Sequence, residues 1–265
     1  MKRNSLTLLL AAAGMLLAGV QTAKAQKVVL HMAGNQTFEC SISQLDSITF
    51  VGDDLIIEEE HEWVDLGLPS GTLWATCNVG ANSPEEYGDY FAWGEIKPKD
   101  EYGWGTYIYC AEDDYYSLTK YCTHYRYGFN LFTDDLTELL PEDDAATANW
   151  SSDWQMPSHE QITELCDEWN TTATWTTQNG IEGQIIKSNR NGNTIFLPAA
   201  GHIDYQEADN TGSYGCYWSR SLCTKNSFPG HAYLMYVISS GILDGNQDRS
   251  YGRTVRPVRV KTRCE

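Results

Sequence analysis

The sequence predicts an α+β domain in which antiparallel hairpins follow one or two main helices. Three observations carry this. Residues 158 to 169 place Ile162, Leu165, Cys166 and Trp169 at i, i+3, i+4 and i+7 behind a Ser158 to Gln161 capping box, an amphipathic helix with an inward face. Strand signals then follow in quick succession at 174–177, 183–188, 194–199, 215–219, 232–238 and 253–260, separated by turn clusters such as Gln178-Asn-Gly180. The 265-residue chain carries 22 glycines, 12% aromatic and only 20% charged residues, a composition that suits turn-rich β structure over a true core.

The chain opens with Lys2 and Arg3, an apolar run from Leu8 to Val20 and a small-residue Ala23-Lys-Ala25 site. This reads as a secretory signal peptide over 1–25, too short in its apolar part for a membrane anchor, so the mature chain is expected to be exported, in the periplasm, on the cell surface or outside the cell. Residues 26–51 read as a short β-rich leader, with two strands around Ala33 to Gln36 and a third over Asp46 to Val51. A segment this short cannot bury a core alone. Residues 52–61 are an acidic linker, 62–260 the main domain and 261–265 a tail.

Within the main domain, Val64 to Leu68 and Thr72 to Val79 are strand-like around a Pro69-Ser-Gly turn. Asn82 to Glu95 then concentrates four carboxylates and four aromatic rings. Ser83-Pro-Glu-Glu86 matches a capping box, with Gly88 stopping the helix after one turn. Asp89 to Trp93 reads as a strand with Tyr90 and Ala92 on one face and Phe91 and Trp93 on the other. Residues 96–130 are tyrosine-rich, lack a period and read as a long excursion. Thr133 to Leu140 reads as a short helix ended by Pro141, and Asp143 to Ala148 as another turn.

The net charge is −18, and removal of the signal peptide leaves 15 basic against 36 acidic residues, a net −21. Such a field excludes nucleic acid and anionic lipid as partners. Eight cysteines in an exported chain invite disulfides but form no CxxC pair or zinc spacing. Cys110–Cys122 and Cys216–Cys223 are the pairs to test first, while Cys77 and Cys166 read as small buried hydrophobes. Six scattered histidines show no ligand spacing, no nucleophile elbow or phosphate loop is present, and no metal or cofactor is expected. Asp244-Gly-Asn-Gln-Asp248 begins like a calcium loop, but Arg249 and Val255 stand where that loop needs Gly and Glu, so a polar hairpin tip is the reading.

Taken together and in order, Val64-Asp-Leu-Gly, Trp74-Ala-Thr-Cys-Asn-Val-Gly80, Ser83 to Glu95, Asp144-Ala-Ala-Thr-Ala-Asn-Trp150, Trp154-Gln-Met-Pro-Ser158, Phe196-Leu-Pro-Ala-Ala-Gly201, Gly212 to Ser219 and Val255-Arg-Pro-Val258 resemble the Fibrobacter succinogenes major paralogous domain. The resemblance covers roughly 63–260. It implies a C-type-lectin-like fold, with first and last strands paired and a loop-rich half, and distant kinship with formylglycine-generating enzymes. Gln155 stands where those enzymes carry Arg, and the surroundings of Cys216 and Cys223 do not match their copper site, so the oxidase activity is not carried over.

The candidate ligand-binding residues are Tyr217, Arg220, Tyr233, Tyr236, Asp244, Asn246, Asp248, Arg249 and Tyr251, a mixture of aromatic planes and polar groups suited to adaptable recognition. The expected function is a non-catalytic binding or adhesion module for a glycan or protein ligand. The alternatives are a hydrolase or other enzyme with an unrecognised carboxylate site, with Asp89, Glu95, Asp143 and Asp144 as its candidates, and a structural subunit of a surface assembly.

Overall fold

The structure, a computed structural model, describes residues 27–32, 36–41, 61–225 and 230–260. The signal peptide, the Asp46 to Val51 strand, most of the acidic linker and the tail lie outside the described residues. The chain forms two compact units, Met1–Glu60 and His61–Glu265. In the first, β1 (Lys27–Met32) and β2 (Gln36–Ser41) make an antiparallel hairpin, as the leader's pattern predicts.

The second unit is mostly antiparallel sheet with two short α-helices. Its strands are β3 (Trp63–Asp65), β4 (Thr72–Ala75), β5 (Thr171–Gln178), β6 (Ile181–Ser188), β7 (Thr194–Pro198), β8 (His202–Ile203), β9 (Ala208–Asp209), β10 (Tyr214–Leu222), β11 (His231–Ile238), β12 (Gly241–Asp248) and β13 (Val258–Val260). They assemble as β10-β11-β12, β13-β4-β3, β5-β6-β7 and a small β8-β9 ribbon. The last strand therefore closes against β4 near the start of the unit, with Val258 opposite Trp74.

The helices are α1 (Ala145–Asn149) and α2 (His159–Cys166). Helix α2 begins as its sequence dictates: Ser158 Oγ accepts from Gln161 N while Gln161 Oε1 accepts from Ser158 N at 2.8 Å. Ile162 and Leu165 are buried, but the helix stops three residues early and Trp169 stands 85% exposed. Thr171 N and Asn170 N close onto Asp167 O in a tight turn, so the apolar period is cut before Trp169 can turn inward. Helix α1 is capped by Asp144, whose Oδ1 accepts from Ala146 N and Thr147 N while both carboxylate oxygens accept from Met156 N. At Asn179-Gly180, φ of 49° and 87° makes the β5–β6 turn the type that matches strand twist.

Sheet β10-β11-β12 is apolar on both faces. On one, Cys216, Trp218 and Leu234 join Phe91, Trp93 and Met156; on the other, Tyr217, Met235, Val237 and Ile242 join Trp74, Ile162, Leu165 and Ile186. Arg249, Arg253 and Arg256 are fully or almost fully buried beside this core. Arg256 donates to Asn78 Oδ1 at 2.8 Å and to the carbonyls of Ala75 and Thr76 at 3.1 and 2.8 Å, tying the C-terminal segment to the exit of β4.

Several expectations are corrected. Residues 83–88 form a turn without a helix: Glu86 N bonds Ser83 O, and the Glu86 carboxylate reaches back one residue further, to Asn82 N. Glu85 instead holds the β5–β6 turn, accepting from Gln178 Nε2 and Asn179 Nδ2, both at 2.7 Å. Gly88 does end this turn at φ 72°, and a Cβ there would lie 2.4 Å from Val79 O. Gly88→Ala is therefore expected to lower stability by about 2 kcal/mol, measured by urea unfolding. Asp89 to Trp93 keeps its predicted alternation, but through one bridge to Arg253, with Phe91 and Trp93 in the main core and Ala92 in a smaller cluster with Tyr102 and Tyr107.

Thr133 to Leu140 is not helical. Asp135 adopts φ 55°, and the stretch lies along β10, where Leu222 N bonds Thr137 O and Leu139 N bonds Arg220 O. Asp244 to Asp248 is no hairpin tip but the second half of β12, registered with β11 from His231 opposite Asp248 to Ile238 opposite Gly241. All six described cysteines of this unit are free thiols, and neither predicted disulfide is present. Cys216 lies in β10 opposite Tyr236, while Cys223, just past the end of β10, bonds His231 O; their partners on β11 are five residues apart, roughly 16 Å, a separation that no disulfide spans. Cys110 is engaged locally, with Sγ 3.2 Å from Ser117 Oγ, whereas Cys122 is buried and donates to His124 O. Cys77 and Cys166 are half-buried, and Cys166 packs against the second core cluster.

Candidate functional site

The structure disperses the nine predicted ligand residues. Tyr217 is a core residue whose hydroxyl donates to Pro198 O. Arg249 is fully buried, donating to Tyr121 O at 2.8 Å and Lys120 O at 3.2 Å, with its guanidinium near the faces of Trp93 and Tyr107. Asp248 accepts from Trp104 Nε1 at 2.9 Å and from Ser250 N and Oγ. Tyr236 covers Gly245, and its hydroxyl accepts from Gln247 Nε2 at 2.9 Å. Arg220 pairs with Glu138 at 3.1 Å and donates to Gln155 Oε1 at 2.8 Å. Asn246 is bonded to His231, and Tyr251 meets Tyr205 edge-on, its hydroxyl pushed up to about 12 chiefly by burial.

Of the nine, Tyr233 and Asp244 are joined by His159 at the start of α2, and Asn246 stands opposite Tyr233 in the β11–β12 register. The His159 ring stacks on Tyr233 at 3.6 Å and its Nε2 lies 3.1 Å from Asp244 Oδ2. The four candidate catalytic carboxylates are likewise engaged separately. Glu95 is bound by Lys99 Nζ at 2.9 Å and Ile108 N at 3.1 Å, Asp144 caps α1, and exposed Asp89 lies over Gly80. Asp143 accepts from Tyr109 Oη at 2.6 Å, from Tyr121 Oη and from Lys120 Nζ. Burial works to raise the Asp143 carboxyl, but these donors together outweigh it and hold it below the usual carboxylate range. The same contact and burial push both tyrosine hydroxyls far up, so they stay protonated donors.

Asp143, Arg249 and Asp248 thus converge on one object, the excursion from Tyr102 to Phe132. Its underside is fastened: Tyr107 donates to Trp93 O at 2.8 Å, Tyr102 to Tyr90 O at 2.7 Å, and Asp134 accepts from Tyr121 N and Cys122 N. The excursion holds its own shape through Ala111 N to Ser117 O, Leu118 N to Tyr127 O and Phe129 N to Leu118 O. Tyr121, Asp113, Asn130 and Leu131 all adopt φ between 53° and 64°, a strained conformation that persists only where surrounding contacts impose it.

The outer side of this segment carries a run of adjoining rings. Trp104 lies 6.1 Å from Tyr115, Tyr115 4.3 Å from Tyr116, Tyr116 5.5 Å from Tyr127, and Tyr127 5.6 Å from His124, which stacks on Tyr125. Tyr116 is 52% exposed and Tyr125 50%, while Trp104 is fixed through its indole N–H to Asp248 and packs against Gly230. Exposed Glu112, Asp113 and Asp114 border these rings. Contiguous exposed aromatic surface on a rigid scaffold is a recognition feature, since flat amphipathic rings offer area at little entropic cost. Sequence reasoning registered the tyrosine density here but assigned it no task.

Elsewhere, a groove of about 620 Å³ lies between the end of α2, β5 and the β11–β12 turn, with Trp169 and Leu243 on its walls. Among the described residues no cluster of His, Cys, Asp or Glu has a metal-holding arrangement, and no helix is long and apolar enough to cross a membrane. Compared with protein-family models, curated proteins and solved structures, the chain matches no family model, no curated protein and no solved structure.

Proposed function

We propose that the protein is an exported, non-catalytic binding module that recognises a neutral glycan through the aromatic surface of the excursion. The observation that carries this reading is the adjoining set Trp104, Tyr115, Tyr116 and Tyr127, with Tyr116 exposed and the other three half-buried, in an excursion anchored below by Asp143, Asp248 and Arg249. Pyranose rings present apolar C–H faces that lie against such rings, and the carboxylates of Glu112 to Asp114 at the border are acceptors for sugar hydroxyls. The acidic surface disfavours anionic ligands, which narrows the glycan to an uncharged one.

Export rests on the basic, apolar and small-residue order of residues 1–25. Membership of the Fibrobacter succinogenes major paralogous domain, and with it a C-type-lectin-like fold, rests on the ordered phrases from Val64 to Val258. The pairing of β13 with β4 and the long loop excursion support that reading.

A glycan array with the full-length protein tests the proposal. Binding to uncharged glycans is expected, weakened at least about tenfold by Tyr116→Ala or Tyr127→Ala and retained in Trp169→Ala and Asp244→Ala. Binding that survives both tyrosine changes, or turnover of a sugar panel abolished by one carboxylate substitution, would overturn it.

A further inference from the structure

We propose that Cys122 and Cys223 form a disulfide that staples the aromatic excursion to the end of β10. Both thiols are almost fully buried, at 2% and 3% exposure. They line one small cavity of about 30 Å³ together with Tyr121, Leu222 and Lys225. Residues 121–124 with Tyr127 and residues 222–225 line it together, so both cysteines border the same pocket. The remaining described thiols lie elsewhere: Cys110 is held by Asp114 and Ser117, Cys166 faces the groove beyond α2, Cys216 lies in the core against Trp218, and Cys77 follows β4.

The backbone on each side of the cavity is fixed. Cys122 N bonds Asp134 Oδ1 at 2.9 Å and Asp134 N bonds Cys122 O at 3.1 Å. Cys223 N bonds His231 O at 3.1 Å, and Leu222 N bonds Thr137 O at 2.8 Å. Cys122 Sγ donates to His124 O at 3.3 Å, so closing the bridge gives up one weak sulfur contact for a covalent bond. The reaction is thiol–disulfide exchange with a small-molecule disulfide such as oxidised glutathione. One cysteine thiolate attacks the glutathione disulfide and releases one glutathione thiolate. The second cysteine thiolate then attacks the mixed disulfide and releases the other. The two cysteine protons end on the two glutathione thiols, and the pair of electrons from the cysteines reduces the oxidant. Because both thiols are buried, exchange precedes closure of the excursion during folding. The bridge closes a loop from residue 122 to residue 223, long enough for a large restraint on the unfolded chain.

Peptide mapping of full-length protein refolded with oxidised and reduced glutathione tests this directly. The assay supplies its own oxidant and reads no ligand, so its outcome is independent of export and of glycan binding. A cross-linked pair of peptides carrying Cys122 and Cys223 is expected, lost on reduction, with Tm falling by about 5 °C or more. In Cys122→Ser and in Cys223→Ser the reductant should leave Tm unchanged. Any other partner for either cysteine, or both alkylated as free thiols in denaturant after oxidation, would overturn the proposal. Should the single variants fold poorly, the wild-type map alone decides.

Discussion

Arg249→Met is expected to lower stability by about 3 kcal/mol and to release the excursion for proteolysis between Trp104 and Phe132. The guanidinium is fully buried, and the carbonyls it serves, Tyr121 O and Lys120 O, belong to the excursion. Methionine fills part of the volume but donates nothing, so two buried carbonyls lose charge-assisted partners. Arg249→Lys should recover only part of the loss, because one ammonium does not reproduce the forked donor geometry. Chemical denaturation gives the first number and limited proteolysis locates the release. Unchanged proteolysis with a full stability loss would place Arg249 in the core alone, without an anchoring role.

Asp143→Asn is the second large effect, a loss of about 2–3 kcal/mol at neutral pH. Its carboxylate receives Lys120 and the hydroxyls of Tyr109 and Tyr121 at a site 7% exposed, and the amide offers one acceptor oxygen and no charge. The sign with pH follows from the depressed carboxyl. A group held below its unfolded value stabilises fully above the ordinary carboxylate range, near about pH 4, and loses that contribution as pH falls through the folded value. The gap between wild type and Asp143→Asn should therefore narrow on acidification, as read by thermal unfolding from pH 7 to pH 3. A constant gap would mean that Asp143 is not ionised in the folded protein.

Parts of this architecture are legible in the chain because their causes are local. Ser158 and Gln161 satisfy each other across one turn, and Asn179-Gly180 admits the positive φ its turn requires. The misread elements are those decided by distant partners. Asp244 to Asp248 has loop composition, yet β11 pairs it as a strand and Trp104 fastens its last residue. Thr133 to Leu140 has a helical spacing of leucines, but its backbone bonds go to β10. Trp169 continues the period of α2 and faces solvent because the chain turns on Asp167 first.

The same distinction separates the two candidate surfaces. Tyr217 to Tyr251 looks like a recognition surface in composition, but Tyr217 and Arg249 spend their polar atoms on the interior, and Asp248 spends one carboxylate oxygen on the Trp104 anchor. The tyrosines between 102 and 127 have no period to mark them. What assembles them is Asp143, Asp248 and Arg249, remote in sequence, so the excursion reads as irregular chain until its anchors are known.

The account stands on the excursion being a held platform, and hydrogen exchange on the unliganded protein tests that most directly. The amides of Ala111, Leu118, Tyr121, Cys122 and Phe129, all bonded within or beneath the segment, are expected to exchange at least about a hundredfold more slowly than in an unstructured peptide. Exchange at unstructured rates across Trp104 to Phe132, with the β10-β11-β12 sheet still protected, would contradict it.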